Sequence, residues 1–250
     1  MNRKETVIPA DSVTLTVMYD NFSFSDECKT SWGYSCLVEI PGTVILFDTG
    51  GHGSILMKNM EQLGVDPGVV DIVVLSHEHD DHTGGLGEFL ESNREVRVYI
   101  PETFGGEIRD LISKHGIESV DVRQPVEIVP GVRSCGVMGD AIPEQSIAIV
   151  TDRGPIVITG CAHPGIAEIV AKAKELVGNA PLLVMGGWHL KGSSRTRVEA
   201  IIETFDEIGV RYVAPSHCTG ENAIAVFEEV YGKRYIAVGA GKVLKGTELR

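Results

Sequence analysis

The chain lacks a long hydrophobic run, because no stretch of its 250 residues approaches the roughly 18 consecutive apolar residues of a membrane span. Its first residues, MNRKETVIPADS, also lack the apolar core of a secretory signal peptide. We therefore expect no membrane partner and a cytoplasmic location.

Cysteines and basic residues are both few. The five cysteines are odd in number and have no repeating spacing, which argues against a disulfide framework and favours reduced thiols. The 22 Lys and Arg residues stand against 35 Asp and Glu residues, giving a formal net charge of -13. A phosphate backbone requires a basic face, so the composition argues against binding of nucleic acid.

The composition does supply a core, since 43% of the residues are hydrophobic. We find no internal repeat, low-complexity segment or linker, and so predict a single domain over residues 1–250. Strands are predicted at 13–20, 34–40, 43–50, 70–76 and 95–100, in short pieces over 118–138, in a hairpin over 146–160, and at 181–187, 211–215 and 234–244. Helices are predicted at 54–63, 86–92, 104–115, 165–177, 194–208 and 221–231.

The stretch SHEHDDHTGGL (76–86) is the densest group of ligand-capable side chains in the chain. It follows a run of β-branched and apolar residues that predicts a buried strand, and two glycines and a short helix come after it. The histidines therefore lie in a strand-to-helix turn, where α/β proteins commonly bind ligands. The H-E-x-x-H pattern of metalloproteases fails, because its second histidine would fall at Asp81.

His77, His79, Asp81 and His82 instead fit the spacing H-x-H-x-D-H, by which the chain resembles the metallo-β-lactamase superfamily. The resemblance implies an α+β fold, a four-layer αββα sandwich with one or two divalent metal ions at the edge of its two sheets. His77, His79 and a later histidine would hold one ion, and Asp81, His82 and the last histidine the other. Zinc is the expected ion, with manganese or iron as alternatives.

Further ligands must come from other strand ends, and three predicted strands each end near a histidine. They supply Cys161 with His163, then His189, then His217. Where the superfamily usually has its third-motif histidine, this chain has Glu144 or Gln145, and where it usually has the bridging aspartate, this chain has Cys161.

His163 is therefore predicted to supply the missing imidazole, and a Cys161 thiolate would favour a soft ion such as zinc, although a buried cysteine is often inert packing. His217 matches the last metal histidine of the superfamily, whereas His189 is predicted to meet the substrate. Asp81 and His189 are the expected catalytic residues.

Asp48, at the end of LFDTG, is expected either to accept a hydrogen bond from a ligand imidazole or to cap a turn. His52 and His115 receive no role.

The segment KGSSRTR (191–197) gathers basic residues and serines at a predicted helix start in an otherwise acidic chain. Such helix starts bind phosphate well, so Lys191 and Arg195 are predicted to bind an anionic small-molecule substrate together with His189. The alternative is a capped helix with solvated charges.

The motifs LFDTG, ITGCAHPGI, GGWHL and SHCTG are similar to one branch of the superfamily, the 7,8-dihydropterin-6-methyl-4-(β-D-ribofuranosyl)aminobenzene 5'-phosphate synthases of methanopterin synthesis. In that reaction the metals would neutralise a departing pyrophosphate while the aminobenzene compound attacks the pterin methyl. The alternative is a hydrolase of a phosphodiester, thioester or lactone that uses metal-bound hydroxide. A di-iron redox protein and a noncatalytic module with a structural metal are less favoured, and the oligomeric state stays open.

Overall fold

Two mixed β-sheets stack face to face in the computed structural model of the protein, which describes residues 6–250. Helices cover the outer face of each sheet, giving the four-layer αββα sandwich that the histidine motif predicts. Residues 1–5, the first part of the N-terminal stretch that lacks the apolar core of a signal peptide, lie outside the described residues.

The first sheet has the strand order β13-β1-β2-β3-β4-β5-β6. Its strands are β1 (Thr14–Tyr19), β2 (Ser35–Ile40), β3 (Thr43–Phe47), β4 (Ile72–Val74), β5 (Arg97–Pro101), β6 (Ser119–Val122) and β13 (Val243–Lys245). The strands from β3 to β6 are parallel, and the others pair antiparallel. The helices of this half are α1 (Gly53–Gln62), α2 (Asp80–Thr83), α3 (Leu86–Ser92) and α4 (Gly106–Lys114).

The second sheet has the order β12-β11-β10-β9-β8-β7. Its strands are β7 (Val126–Val129), β8 (Val132–Met138), β9 (Glu144–Ile149), β10 (Ile156–Thr159), β11 (Leu183–Gly187) and β12 (Tyr212–Ser216). The strands β10, β11 and β12 are parallel to one another. The helices α5 (Ile166–Val177), α6 (Arg195–Ile208) and α7 (Glu221–Tyr231) belong to this half.

The strands between the layers are apolar on both faces, as a sandwich requires. In β10, Ile156 and Ile158 pack between the two sheets, whereas Val157 packs against the helices. In β4, Ile72 and Val74 likewise face the second sheet, and Val73 faces the helical layer of the first. Burying each such side chain contributes about 1.5–3 kcal/mol, so the packing of both faces fixes the register of these strands.

The predicted hairpin over 146–160 is confirmed by the antiparallel pair β9 and β10, whereas the strand predicted over 234–244 is wrong. There the chain forms a short 3-10 helix, isolated bridges at Tyr235 and Ala240, and then β13. Gly239 passes so close to Phe22 that a Cβ would lie 2.7 Å from its carbonyl oxygen, and Gly241 has a positive φ of 91°. Glycines in these conformations interrupt a continuous ladder.

Within residues 6–250, no helix combines the length and the apolarity needed to cross a membrane.

Candidate metal centre

The carboxyl ends of the parallel strands of both sheets carry the ligand-capable side chains. Asp48 follows β3, and the histidine-rich turn 77–82 follows β4. In the second sheet Cys161 follows β10, His189 follows β11 and His217 follows β12. Because these strand ends meet at one edge of the sandwich, residues distant in sequence converge there.

His77, His79 and His163 form the first ligand group. Nε2 of His77 lies 3.2 Å from Nδ1 of His79, and the rings of His77 and His163 have centroids 4.6 Å apart. The His79 and His163 rings are 5.0 Å apart. Potential ligand atoms of His77, His163 and Cys161 all lie within 4.8 Å of one another. His77, His163 and Cys161 can bind one ion at this spacing, and the His79 ring adjoins the rings of His77 and His163.

Asp81, His82 and His217 form the second ligand group. Oδ2 of Asp81 lies 3.3 Å from Nε2 of His217 and 3.6 Å from Nε2 of His82. The Cys161 sulfur lies 3.3 Å from Nε2 of His82 and belongs to this group as well as to the first. Cys161 therefore occupies the position from which one ligand can contact two ions.

Asp48 orients the imidazoles of His82 and His77 from behind. Its carboxylate lies 2.7 Å from Nδ1 of His82 and accepts hydrogen bonds from the Ser76 hydroxyl at 2.7 Å and the Ser76 amide at 2.6 Å. The same hydroxyl lies 2.8 Å from Nδ1 of His77. The predicted contact of Asp48 with a ligand imidazole is thus confirmed, and it leaves both Nε2 atoms facing the centre.

Glu144 fixes the loop that places His163 beside the histidine-rich turn. Its buried carboxylate accepts hydrogen bonds from the amides of Cys161, Ala162 and His163 at 2.8–3.0 Å and lies 2.9 Å from Nδ1 of His163. Both oxygens are therefore committed to the loop, and the Glu144 side chain positions His163. Gln145 bonds to Ser134 and to the Leu75 carbonyl, which is a role in the core.

Asn21 positions His217, a role for which the sequence offers no local signal. Its side-chain oxygen lies 2.7 Å from Nδ1 of His217, and the buried Nε2 of His217 faces the Asp81 carboxylate at 3.3 Å. The same carboxylate oxygen lies 3.6 Å from Nε2 of His82. Two imidazole nitrogens and a carboxylate oxygen that face one another at these distances fit a divalent metal ion.

Burial favours the neutral form, which is the form that binds metal, for two imidazoles of the centre, those of His77 and His82. Burial lowers the pKa of His77 to about 3 and that of His82 to about 4. Burial would raise the pKa of Asp81, but the hydrogen bond and charge of His217 and the charge of His82 hold it well below its usual range. Nitrogen, carboxylate and thiolate donors together suit zinc.

Backbone strain is concentrated at this edge of the sandwich. Within residues 6–250 the non-glycine residues with positive φ are Asp48 at 57°, Ala162 at 58°, His189 at 49° and His217 at 50°. Each directly follows a strand or lies in the loop behind one. Left-handed residues are uncommon and cluster at functional sites, so the geometry of this edge is held against a conformational cost.

A third group joins Cys161, His189 and Cys218, whose ligand-capable atoms lie within 4.8 Å of one another. The Cys218 sulfur accepts a hydrogen bond of 3.2 Å from the His189 amide. Burial would raise the pKa of the Cys218 thiol, but hydrogen bonds from Cys161 and His189 lower it well below its usual value. The hydrogen bond with Cys218 in turn raises the pKa of His189. The role of Cys218 was not predicted.

Two cavities reach the centre, and a third, smaller cavity shares lining residues with each of them. One, of about 450 Å³, is lined by His217, Lys191, Trp32 and the start of α7. A second, of about 440 Å³, lies between α5 and α6 and is lined by His163, His189 and Arg197. A smaller junction of about 230 Å³, lined by Trp32, His189, Lys191 and Cys218, shares residues with both.

The structure does not bring Arg195 to these cavities, contrary to its predicted contact with substrate. Its guanidinium is exposed and already paired with Glu229 at 2.8 Å and Glu199 at 2.7 Å. Arg197 lines the second cavity instead and has no ion pair within the described part of the chain. Lys191 lines the first cavity and the junction, as its predicted role requires.

The fold and the motifs have relatives of known identity. A 7,8-dihydropterin-6-methyl-4-(β-D-ribofuranosyl)-aminobenzene-5'-phosphate synthase of Methanocaldococcus jannaschii is 29% identical to this chain, over 92% of the chain and 95% of the relative. The crystal structure of Tm1679, a metal-dependent hydrolase of the β-lactamase superfamily, is 28% identical with a TM-score of 0.80, covering 93% of this chain and 98% of the other.

A diphosphatase from the PhnP family shares the fold at 13% identity, with a TM-score of 0.58 over 93% of this chain and 97% of its own. The family model of the metallo-beta-lactamase superfamily matches residues 33–181, which include the histidine-rich turn, Cys161 and His163. The chain therefore belongs to the metallo-β-lactamase superfamily.

Proposed function

We propose that the protein is a metal-dependent transferase that joins a 7,8-dihydropterin to a 4-(β-D-ribofuranosyl)aminobenzene 5'-phosphate. The observation that carries this proposal is the pair of cavities of about 450 and 440 Å³, one lined by His217 and the other by His163 of the ligand cluster, with a smaller cavity that shares lining residues with both. A hydrolase needs room for one organic substrate and water, whereas a coupling enzyme needs room for two. The similarity to the M. jannaschii synthase supports the same choice.

The proposed metal ligands are His77, His79 and His163 for one ion and Asp81, His82 and His217 for the other, with Cys161 between them. Divalent ions held there would supply Lewis-acid neutralisation of phosphate oxygens. Lys191 and Arg197 face the cavities without a carboxylate partner among residues 6–250, in a chain of net charge -13. They are the proposed phosphate-binding side chains, and Arg197 takes the role predicted for Arg195.

In the proposed step the amine nitrogen of the aminobenzene compound forms a bond to the methylene carbon of the pterin. The bond from that carbon to a diphosphate leaving group breaks with its electron pair, and the amine loses one proton. The products are the coupled pterin, diphosphate and a proton. The exposed imidazole of His189 at the junction would accept the proton, so His189 and the metal-binding Asp81 are the proposed catalytic residues.

Hydrolysis is the second candidate, favoured by the similarity to Tm1679. The same ligand set would serve it, because a metal ion lowers the pKa of bound water to about 7. The two functions differ in whether the attacking group is water or an organic amine.

The deciding experiment supplies the zinc- or manganese-loaded protein with 6-hydroxymethyl-7,8-dihydropterin diphosphate and the aminobenzene ribofuranosyl phosphate. We expect a coupled product by mass spectrometry and release of diphosphate that depends on the second substrate. Release of diphosphate without that substrate, or turnover of model phosphodiesters or lactones alone, would replace the transferase with the hydrolase.

His79→Ala should lower metal content and abolish activity. His52→Ala is its matched control, since His52 is exposed and belongs to neither ligand group.

A further inference from the structure

We infer that the cavity beside His217 binds a flat nitrogen heterocycle through an edge that carries a ring N–H and an amino group. This inference rests on the proposed function and assigns the pterin to that cavity and the aminobenzene ribofuranosyl phosphate to the cavity of Arg197. The two cavities have nearly equal volumes, so size does not distinguish them. Their walls do.

The wall of the first cavity includes an exposed indole. Trp32 is 46% exposed, although its ring lies only 4.9 Å from that of His217. The Lys191 ammonium lies 4.9 Å from the centroid of the Trp32 ring. These two neighbours hold the indole at the mouth of the cavity, where Phe22 adds a second aromatic side chain. Stacking of a nucleobase-like ring on an aromatic side chain is favourable for any planar heterocycle.

The same cavity also has polar side chains with free hydrogen-bonding groups. Glu221 and Asn222 line the cavity and are exposed, and neither side chain has a hydrogen bond or ion pair within residues 6–250. A carboxylate accepts two parallel hydrogen bonds from a ring N–H and a neighbouring amino group, while an amide can both donate and accept. The 2-amino-4-oxopyrimidine edge of a pterin presents that combination.

The second cavity has a different chemistry. Small and aliphatic residues such as Ile166 and Ile201 line it together with the imidazoles of His163 and His189 and the Glu168 carboxylate. Its tryptophan, Trp188, is buried, it has no exposed tyrosine or phenylalanine, and Arg197 is its cation. An arginine pairs with a phosphate through two hydrogen bonds. The phosphorylated sugar therefore fits this cavity, and the uncharged heterocycle fits the other.

The test measures binding by calorimetry, with 6-hydroxymethylpterin and ribose 5-phosphate as separate probes of the zinc-loaded protein. We expect Trp32→Leu and Glu221→Gln each to raise the Kd of the pterin tenfold or more and to leave that of ribose 5-phosphate within twofold. Arg197→Gln should do the reverse.

Phe24→Leu and Glu228→Gln are matched controls that should leave both Kd values unchanged. Phe24 is 49% exposed with the Lys242 ammonium 4.8 Å from its ring, and Glu228 is exposed on α7, but neither lines the cavity. Unchanged zinc content and melting temperature in Trp32→Leu would show that the variant is folded.

Several results would overturn the inference. They are the absence of pterin binding, pterin binding that survives both cavity variants, and pterin binding lost only in Arg197→Gln. Pterin binding that follows the expected pattern without any coupling would retain the cavity assignment and remove the transferase. Coupling with a pterin KM insensitive to Trp32→Leu would remove the cavity assignment and retain the transferase.

Discussion

Glu144→Gln tests whether this buried carboxylate positions a metal ligand without binding the metal itself. The change preserves the size of the side chain but replaces one carboxylate oxygen with an amide group. Oε1 of Glu144 accepts from the Cys161 and Ala162 amides, and Oε2 faces the amide and Nδ1 of His163. Glutamine can satisfy one pair of donors but turns N–H groups toward the other pair.

The magnitude follows from those contacts. Hydrogen bonds to a charged group contribute roughly 1.5–3 kcal/mol each, and an unsatisfied buried donor costs about 1–3 kcal/mol. We expect Glu144→Gln to destabilise the metal-free protein by about 2–6 kcal/mol, since two donors lose their acceptor. Disturbing the residue that orients a ligand typically lowers metal affinity about 10–100-fold, so the affinity for the ion that His163 is proposed to bind should fall by that factor.

The assay is competition with a chromophoric chelator, applied to wild type, Glu144→Gln, His163→Ala and the double variant. If Glu144 acts through His163, the double variant should lose no more affinity than His163→Ala alone. Additive losses would instead identify Glu144 as a separate ligand. Wild-type metal affinity in Glu144→Gln would refute the positioning role altogether.

Three further substitutions test the proposed bridging ligand Cys161, the buried carboxyl group of Asp20 and the tight packing of Gly160 behind the centre. Cys161→Ser should lower the affinity for zinc more than that for manganese, and should remove the thiolate-to-cobalt charge-transfer band of the cobalt-substituted protein. Loss of that band in Cys218→Ser alone would identify Cys218, and not Cys161, as the thiolate ligand. Burial raises the pKa of Asp20 to about 6 from 3.8, so its protonated form is favoured in the folded state, and the stability it contributes is lost as pH rises from about 4 to about 6. Two pKa units correspond to about 3 kcal/mol of unfolding free energy. The unfolding free energy of metal-free Asp20→Asn, measured against pH, should lack this decrease. Parallel plots of unfolding free energy against pH for the wild type and Asp20→Asn would contradict the prediction. Gly160→Ala places a Cβ 2.1 Å from the Ser76 hydroxyl, so it should lower the free energy of unfolding by about 1–3 kcal/mol and reduce metal content. The control Gly87→Ala, whose Cβ meets only Leu111 at 3.9 Å, should not destabilise the protein. Equal denaturation midpoints for the two variants would contradict the steric argument.

The histidine-rich turn could be predicted from the sequence because its ligands are close neighbours along the chain. His77, His79, Asp81 and His82 lie within six positions after one strand, so local geometry brings them together. The later residues Cys161, His189 and His217 were also found, since each follows a buried strand of the parallel set. Neighbouring parallel strands end at one edge, and this rule needs no knowledge of side-chain packing.

The partners behind the ligands could not be predicted in the same way. Glu144 contacts His163 across 19 positions and Asn21 contacts His217 across 196, so neither pairing leaves a local pattern. The position of Arg195 away from the cavities has a simpler cause. On a helix, residues two apart face different sides, and Arg195 shares a side with Glu199, whereas Arg197 shares one with Ile201 and Thr204 of the second cavity. Helical spacing alone would have favoured Arg197.

Packing of the apolar core offsets the conformational strain of the backbone at the candidate metal centre. Four non-glycine residues at the centre adopt the left-handed conformation, at a cost of roughly 1–2 kcal/mol each and therefore about 4–8 kcal/mol together. Domains commonly have a net stability of only about 5–15 kcal/mol, so this conformational cost is comparable to the whole margin. Packing on both faces of the strands that end at the centre offsets it, and binding of metal to the folded state would add further stabilisation. We therefore expect this edge to be the part of the sandwich whose order depends most on bound metal.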